Sequence, residues 1–281
     1  MAERALESRV GSLPGSAPFE RASAFRWDAR RGPGCLRPIE RPQLFDLEDL
    51  VGVDRAKDRL IANTEQFLAG LPFNHVLLHG ERGTGKSSAV RGLLERYAER
   101  GLRIVELHRA DLLDLPDVLE LVQRASQRFV IFCDDLSFDA GDPGYRELKA
   151  ALEGSLAAPA ENVCIVATSN RRHLISDHPL ISDNAQIGLD AAGDLQVGET
   201  VDEKLALSDR FGLVIGFYAF DQDAYLEVVK HYAAKAGLEM PWEELRAEAL
   251  RWALRRASRS GRSARQFVDD LAGRKALART R

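Results

Sequence analysis

Cysteine is scarce in this chain, with 3 in 281 residues. None of the three has the spacing of a metal knuckle or a redox pair, so a disulfide scaffold and a cysteine-held metal are both excluded. Cys133 and Cys164 lie inside apolar runs and read as buried thiols, whereas Cys35 sits in a Gly/Pro-rich stretch. The 6 histidines are equally sparse, and His173 and His178 do not have helical ligand spacing. No apolar run reaches the ~18 residues of a membrane span. The first nine residues carry charge throughout and lack the apolar core of a signal peptide. A cytoplasmic protein with no membrane partner is the expectation. There is no excess of positive charge either: the formal net charge is -4, unlike a dedicated polyanion binder.

What is present is an ordinary globular balance, 45% hydrophobic and 29% charged. Residues 1–44 are rich in Gly, Pro, Ser and Arg, with Phe19, Phe25 and Trp27 as an aromatic island. They read as a partly irregular arm that docks through those rings. From residue 45 the pattern changes. Apolar runs at 75–79, 103–107, 129–133, 163–167 and 212–217 alternate with helical stretches. Continuous apolar strands separated by helices predict an α/β domain over 45–220, a five-stranded parallel sheet with helices on both faces. Three helical segments then predict a small all-helical domain over 221–281. The polar, Gly/Asp-rich segment 183–204 reads as a surface loop.

One motif is specific. Gly80, Glu81, Arg82, Gly83, Thr84, Gly85, Lys86 and Ser87 match G-x-x-x-x-G-K-[ST] at every fixed position. Glycines let the backbone wrap tightly with its N–H groups turned inward, and the following helix offers its positive dipole end. Lys86 is suited to β and γ phosphates, and the Ser87 hydroxyl to Mg²⁺. The run 129–133 ends in Asp134 and Asp135. Beside a phosphate loop, the first carboxylate supports Mg²⁺ and the second orients or deprotonates the attacking water. Asn170, at the end of the next apolar run, is placed to position that water. A strand-end turn residue is the plainer reading of Asn170.

The order of these elements resembles the AAA+ family of P-loop ATPases. The resemblance rests on Gly83-Thr84-Gly85-Lys86-Ser87-Ser88, Asp134-Asp135-Leu136-Ser137-Phe138, Ala167-Thr168-Ser169-Asn170 and Ser208-Asp209-Arg210-Phe211-Gly212. Within that family the chain looks like an uncharacterised bacterial group of unknown function. The resemblance implies that Val51 and Gly52, in Asp49-Leu50-Val51-Gly52, lie beside the adenine. It implies that Arg210 is an arginine finger reaching a neighbouring subunit's γ-phosphate. It also implies a lid arginine touching the nucleotide, with Arg265 the better fit and Arg262 one turn earlier as competitor. Most AAA+ members have Glu where this chain has Asp135, one methylene shorter, which bears on the hydrolysis rate. The implied cofactors are ATP and Mg²⁺, and the implied assembly is a homo-oligomer that remodels a protein or nucleoprotein client. Two alternatives stay open. A DNA-associated loader is suggested by residues 246–281, which hold eleven basic and three acidic residues. An ATP-gated switch with little hydrolysis is suggested by the short Asp135, and a P-loop kinase is its companion reading, for which the sequence offers no acceptor-binding residues.

Overall fold

A computed structural model describes residues 18–29, 34–138, 142–153, 160–170, 188–189, 195–196 and 209–279. The expected loop 183–204 lies outside these, apart from the two-residue strands β7 (Gly188–Leu189) and β8 (Leu195–Gln196), which pair antiparallel.

The five expected strands are present and parallel. They are β3 (Val76–Gly80), β4 (Leu102–Glu106), β5 (Arg128–Cys133), β6 (Val163–Ser169) and β9 (Leu213–Phe217). In space they run β4-β5-β6-β3-β9, so the phosphate-loop strand β3 sits between β6 and β9. Register places Leu78 beside Thr168 and Ile215, which aligns the carboxyl ends of the three strands.

The sheet has seven strands and not five. Residues expected to form a docking arm supply β1 (Ala24–Asp28), parallel to β4, and β2 (Cys35–Pro38), antiparallel to β1 at the edge. The aromatic island is the reason. Phe19, Phe25 and Trp27 are all buried, Phe19 packs edge-on against Phe129 at 4.8 Å, and the Trp27 indole donates to Asp114 at 2.8 Å. Rings of this size bury too much apolar area to remain in solvent.

Alternating side chains feed two cores. Val76, Leu78, Val130 and Phe132 face one side of the sheet, toward α1 (Asp54–Leu68) and α2 (Lys86–Tyr97). Leu77, Phe129, Ile131 and Cys133 face the other, toward α3 (Leu115–Val122) and α4 (Pro143–Glu153). Period-two alternation within runs apolar on both faces is what a covered parallel sheet requires. After β9 come the three lid helices α5 (Gln222–Lys235), α6 (Trp242–Arg256) and α7 (Gly261–Arg279). Asp221 caps α5, its side chain accepting from the Ala224 amide at 2.8 Å. Tyr225, Val229 and Phe267 of the lid share the first core with Leu50 and Phe217, which seats the lid beside the carboxyl end of β3.

Candidate nucleotide-binding site

β3 ends at Gly80 and the chain turns through Glu81–Gly85 into α2. The turn uses left-handed backbone at Gly83 (φ 78°) and Gly85 (φ 110°). A Cβ at Gly80 would lie 1.8 Å from the Phe217 carbonyl oxygen, and one at Gly83 2.8 Å from Ser260 Oγ. Only glycine fits these positions, for reasons of both φ and space.

The loop borders a cavity of ≈ 720 Å³. Arg82, Gly83, Thr84, Gly85, Lys86, Ser87 and Ser88 line one wall, and Asp134, Asp135, Thr168 and Asn170 close the sheet end. Leu50 and Val51 lie at the other end, with Gly261, Arg262 and Arg265 of the lid above. Gly52, in left-handed backbone at φ 80°, sits behind this wall against Phe220.

Hydrogen bonds tie the sheet end together. Ser87 Oγ donates to Asp134 Oδ1 at 2.7 Å. The Thr168 hydroxyl donates to the same oxygen at 2.5 Å and accepts from the Asp135 amide at 2.8 Å. That amide contact holds Asp135 in left-handed backbone (φ 53°), a conformation costing an L-residue about 1–2 kcal/mol. The Asp135 carboxylate in turn accepts from the Asn170 side-chain amide. Lys86 Nζ donates to the carbonyls of Gly80 and Glu81, both at 2.7 Å, and to Asn170 Oδ1 at 3.1 Å. Burial of Lys86 pushes its pKa below the ordinary lysine value. Asp135 and Asp134 pull it back up, while Arg262 and Arg82 push it further down.

The residues expected at the phosphates are thus gathered at one place, on the carboxyl ends of β3, β5 and β6. Gly80 and Glu81 contribute backbone carbonyls and do not line the cavity. Arg262 and Arg265 both line it. The Arg262 amide bonds to Gly83, whereas the Arg265 guanidinium lies 5.9 Å from the Tyr232 ring. Arg210 is not among the cavity residues; it pairs with Glu153 at the end of α4. Thr168 is the residue whose role the sequence hides, since a threonine closing an apolar strand is an ordinary β-former. Gln43, joined to Arg91 at 3.1 Å, and Phe45 also border the cavity without any local signal.

The donor set suits magnesium and a polyphosphate. A hydroxyl and a carboxylate at 2.7 Å offer two hard oxygen ligands, and Mg²⁺ takes its remaining ligands from water and phosphate. Among the described residues no group of three or more His, Cys, Asp or Glu is placed to hold a metal ion.

A family model described as "Protein of unknown function (DUF815)" matches residues 20–275. No curated protein matches the chain. Among solved structures, the Thermotoga maritima RuvB Holliday junction branch migration motor matches with a TM-score of 0.55 at 16% identity. That match covers 83% of this chain and 66% of that one. A point-substituted form of the same protein gives a TM-score of 0.56 at 15% identity, again with 83% and 66% coverage. At this identity the likeness is one of fold. The chain spans just under two thirds of the length of these structures.

Proposed function

This chain belongs to the DUF815 family and has the AAA+ P-loop fold, and on that premise we propose that it binds and hydrolyses ATP within an oligomer to remodel a macromolecular partner. The observation that carries the reading is the bonded set Lys86, Ser87, Asp134, Asp135, Thr168 and Asn170, gathered around one glycine-lined turn. Loop amides and the start of α2 hold the β and γ phosphates. Lys86 exchanges part of its carbonyl contacts for phosphate oxygens. Ser87 and Asp134 hold Mg²⁺, which when bound neutralises phosphate charge. Asp135 takes the proton of the attacking water, and Asn170, already bonded to Asp135, keeps that water in line. Val51 and Gly52 flank the adenine, and Arg265 or Arg262 closes on the phosphates from the lid.

Arg210 completes the site in a neighbouring subunit. Its position outside its own cavity supports this role, since a guanidinium so placed has no nucleotide of its own to reach. ATPase rate measured against protein concentration tests the reading. Specific activity should rise with concentration, and Arg210→Ala should remove the rise. A flat specific activity, identical in Arg210→Ala, sinks it.

A DNA-bound client is the second reading. It is favoured by the net +8 charge of residues 246–281 and by the likeness of fold to a Holliday junction branch migration motor. Under that reading, affinity for duplex DNA should fall log-linearly with salt.

A further inference from the structure

At the base end of the cavity an ion-pair cluster centred on Asp49 ties the lid to the main domain, with Asp46 also 3.7 Å from Lys235. Asp49 closes the 3-10 turn Leu47–Asp49, whose start is capped by Asp46 accepting from the Glu48 amide at 2.9 Å. Its side chain is only 11% exposed and reaches α5 of the lid. Lys235 Nζ donates to both carboxylate oxygens at 2.7 Å, and His231 Nε2 lies 2.8 Å from Oδ1. The Tyr232 hydroxyl adds a bond to the Asp49 carbonyl at 3.4 Å. Burial raises the Asp49 pKa, but Lys235 and His231 outweigh it and hold the carboxyl below its usual range.

These contacts continue into the nucleotide cavity. Asp49, Leu50, Val51 and Tyr232 all line it. The His231 and Tyr232 rings meet edge-on at 5.4 Å, and the Arg265 guanidinium lies over the Tyr232 ring at 5.9 Å. One helical turn of α5 therefore links the base-end segment to the lid arginine.

We propose that Asp49, Lys235 and His231 form a latch that holds the lid over the base end of the cavity and so sets nucleotide affinity. The inference rests on the nucleotide reading above and adds to it three positioning residues. A nucleotide must touch Leu50 and Val51 on one side and the lid on the other. A lid already fastened spares binding the cost of ordering it. The bonds are charge-assisted and partly sheltered from water, so their loss is felt more than that of an exposed ion pair.

Titration calorimetry of the full chain with ATP and Mg²⁺ tests the latch, using Asp49→Asn, Lys235→Gln and the double variant. Lys235 is half exposed, so its substitution leaves the core intact. Each single change should weaken ATP binding by roughly tenfold, as expected for one charge-assisted contact. The double variant should be little weaker than the worse single, because both remove the same main link and Lys235 has beyond it only its 3.7 Å pairing with Asp46. Parental affinity in both singles, or losses that multiply in the double, would overturn the latch. Lys86→Ala separates the two claims. If the parent binds ATP and Lys86→Ala does not, while the latch variants match the parent, the latch alone fails. A parent that binds no nucleotide overturns both.

Discussion

The Arg262 amide donates to the Gly83 carbonyl at 3.2 Å, joining the first turn of the last helix directly to the phosphate loop. Gly83 lies at φ 78°, and a Cβ there would meet Ser260 Oγ at 2.8 Å and Arg262 Cβ at 3.2 Å. Gly83→Ala should therefore destabilise the protein by about 1–3 kcal/mol and loosen the lid. Thermal denaturation, with ATP titration beside it, checks this. An unchanged melting temperature would mean that the lid does not press on the loop.

Thr168 serves two acids with one hydroxyl, donating to Asp134 and accepting from Asp135. Thr168→Val keeps the shape and removes both bonds. The Asp135 amide then has no acceptor, and its left-handed backbone loses a restraint. Turnover should fall by about 10- to 100-fold, the range a displaced general base commonly costs, while ATP binding persists. Steady-state turnover and nucleotide affinity measured together decide the matter. Parental turnover would remove Thr168 from the account.

His75, just before β3, accepts the Ile165 amide on Nδ1 at 3.1 Å, and burial of the ring pushes its pKa down to about 4. The folded form resists protonation while the unfolded chain protonates near 6.5. Stability from this group is thus complete above pH 6.5 and lost as pH falls to about 4, by as much as about 3 kcal/mol. Urea midpoints taken between pH 7 and 4 should show the slope, and His75→Asn should flatten it. A variant with the parental slope would place the acid sensitivity elsewhere.

Trp27 ties the amino-terminal strands to the sheet through its buried ring and its bond to Asp114. Trp27→Ala should cost about 3–5 kcal/mol, as large aromatic truncations in a core do. Denaturant unfolding measures it. A loss below 1 kcal/mol would make β1 and β2 an appendage and not part of the domain.

The sequence carried much of this structure locally. β5 and β6 are unbroken apolar runs, so their burial on both faces was legible, and the glycine spacing of residues 80–87 announced the phosphate loop. β1 and β2 were not legible. They are short and lie in a Gly- and Pro-rich stretch, and they owe their place to Phe19 packing on Phe129 and Trp27 bonding Asp114, about a hundred residues on. Thr168 is hidden in the same way, since its meaning comes from Asp134 and Asp135 after another strand, more than thirty residues earlier. So is Asp49, whose partners Lys235 and His231 lie in the lid. The expected surface loop 183–204, apart from the short strands β7 and β8, and Ser208 of the Arg210 segment lie outside the described residues.

The central claim is that a nucleoside triphosphate lodges in the turn between β3 and α2, held by Lys86. Equilibrium binding of ATP in the presence of Mg²⁺, compared between the parent and Lys86→Ala, tests it most directly. The account predicts saturable binding at about one nucleotide per chain, abolished or weakened at least roughly a hundredfold by the substitution. No binding by the parent, or equal binding by the two proteins, would contradict it.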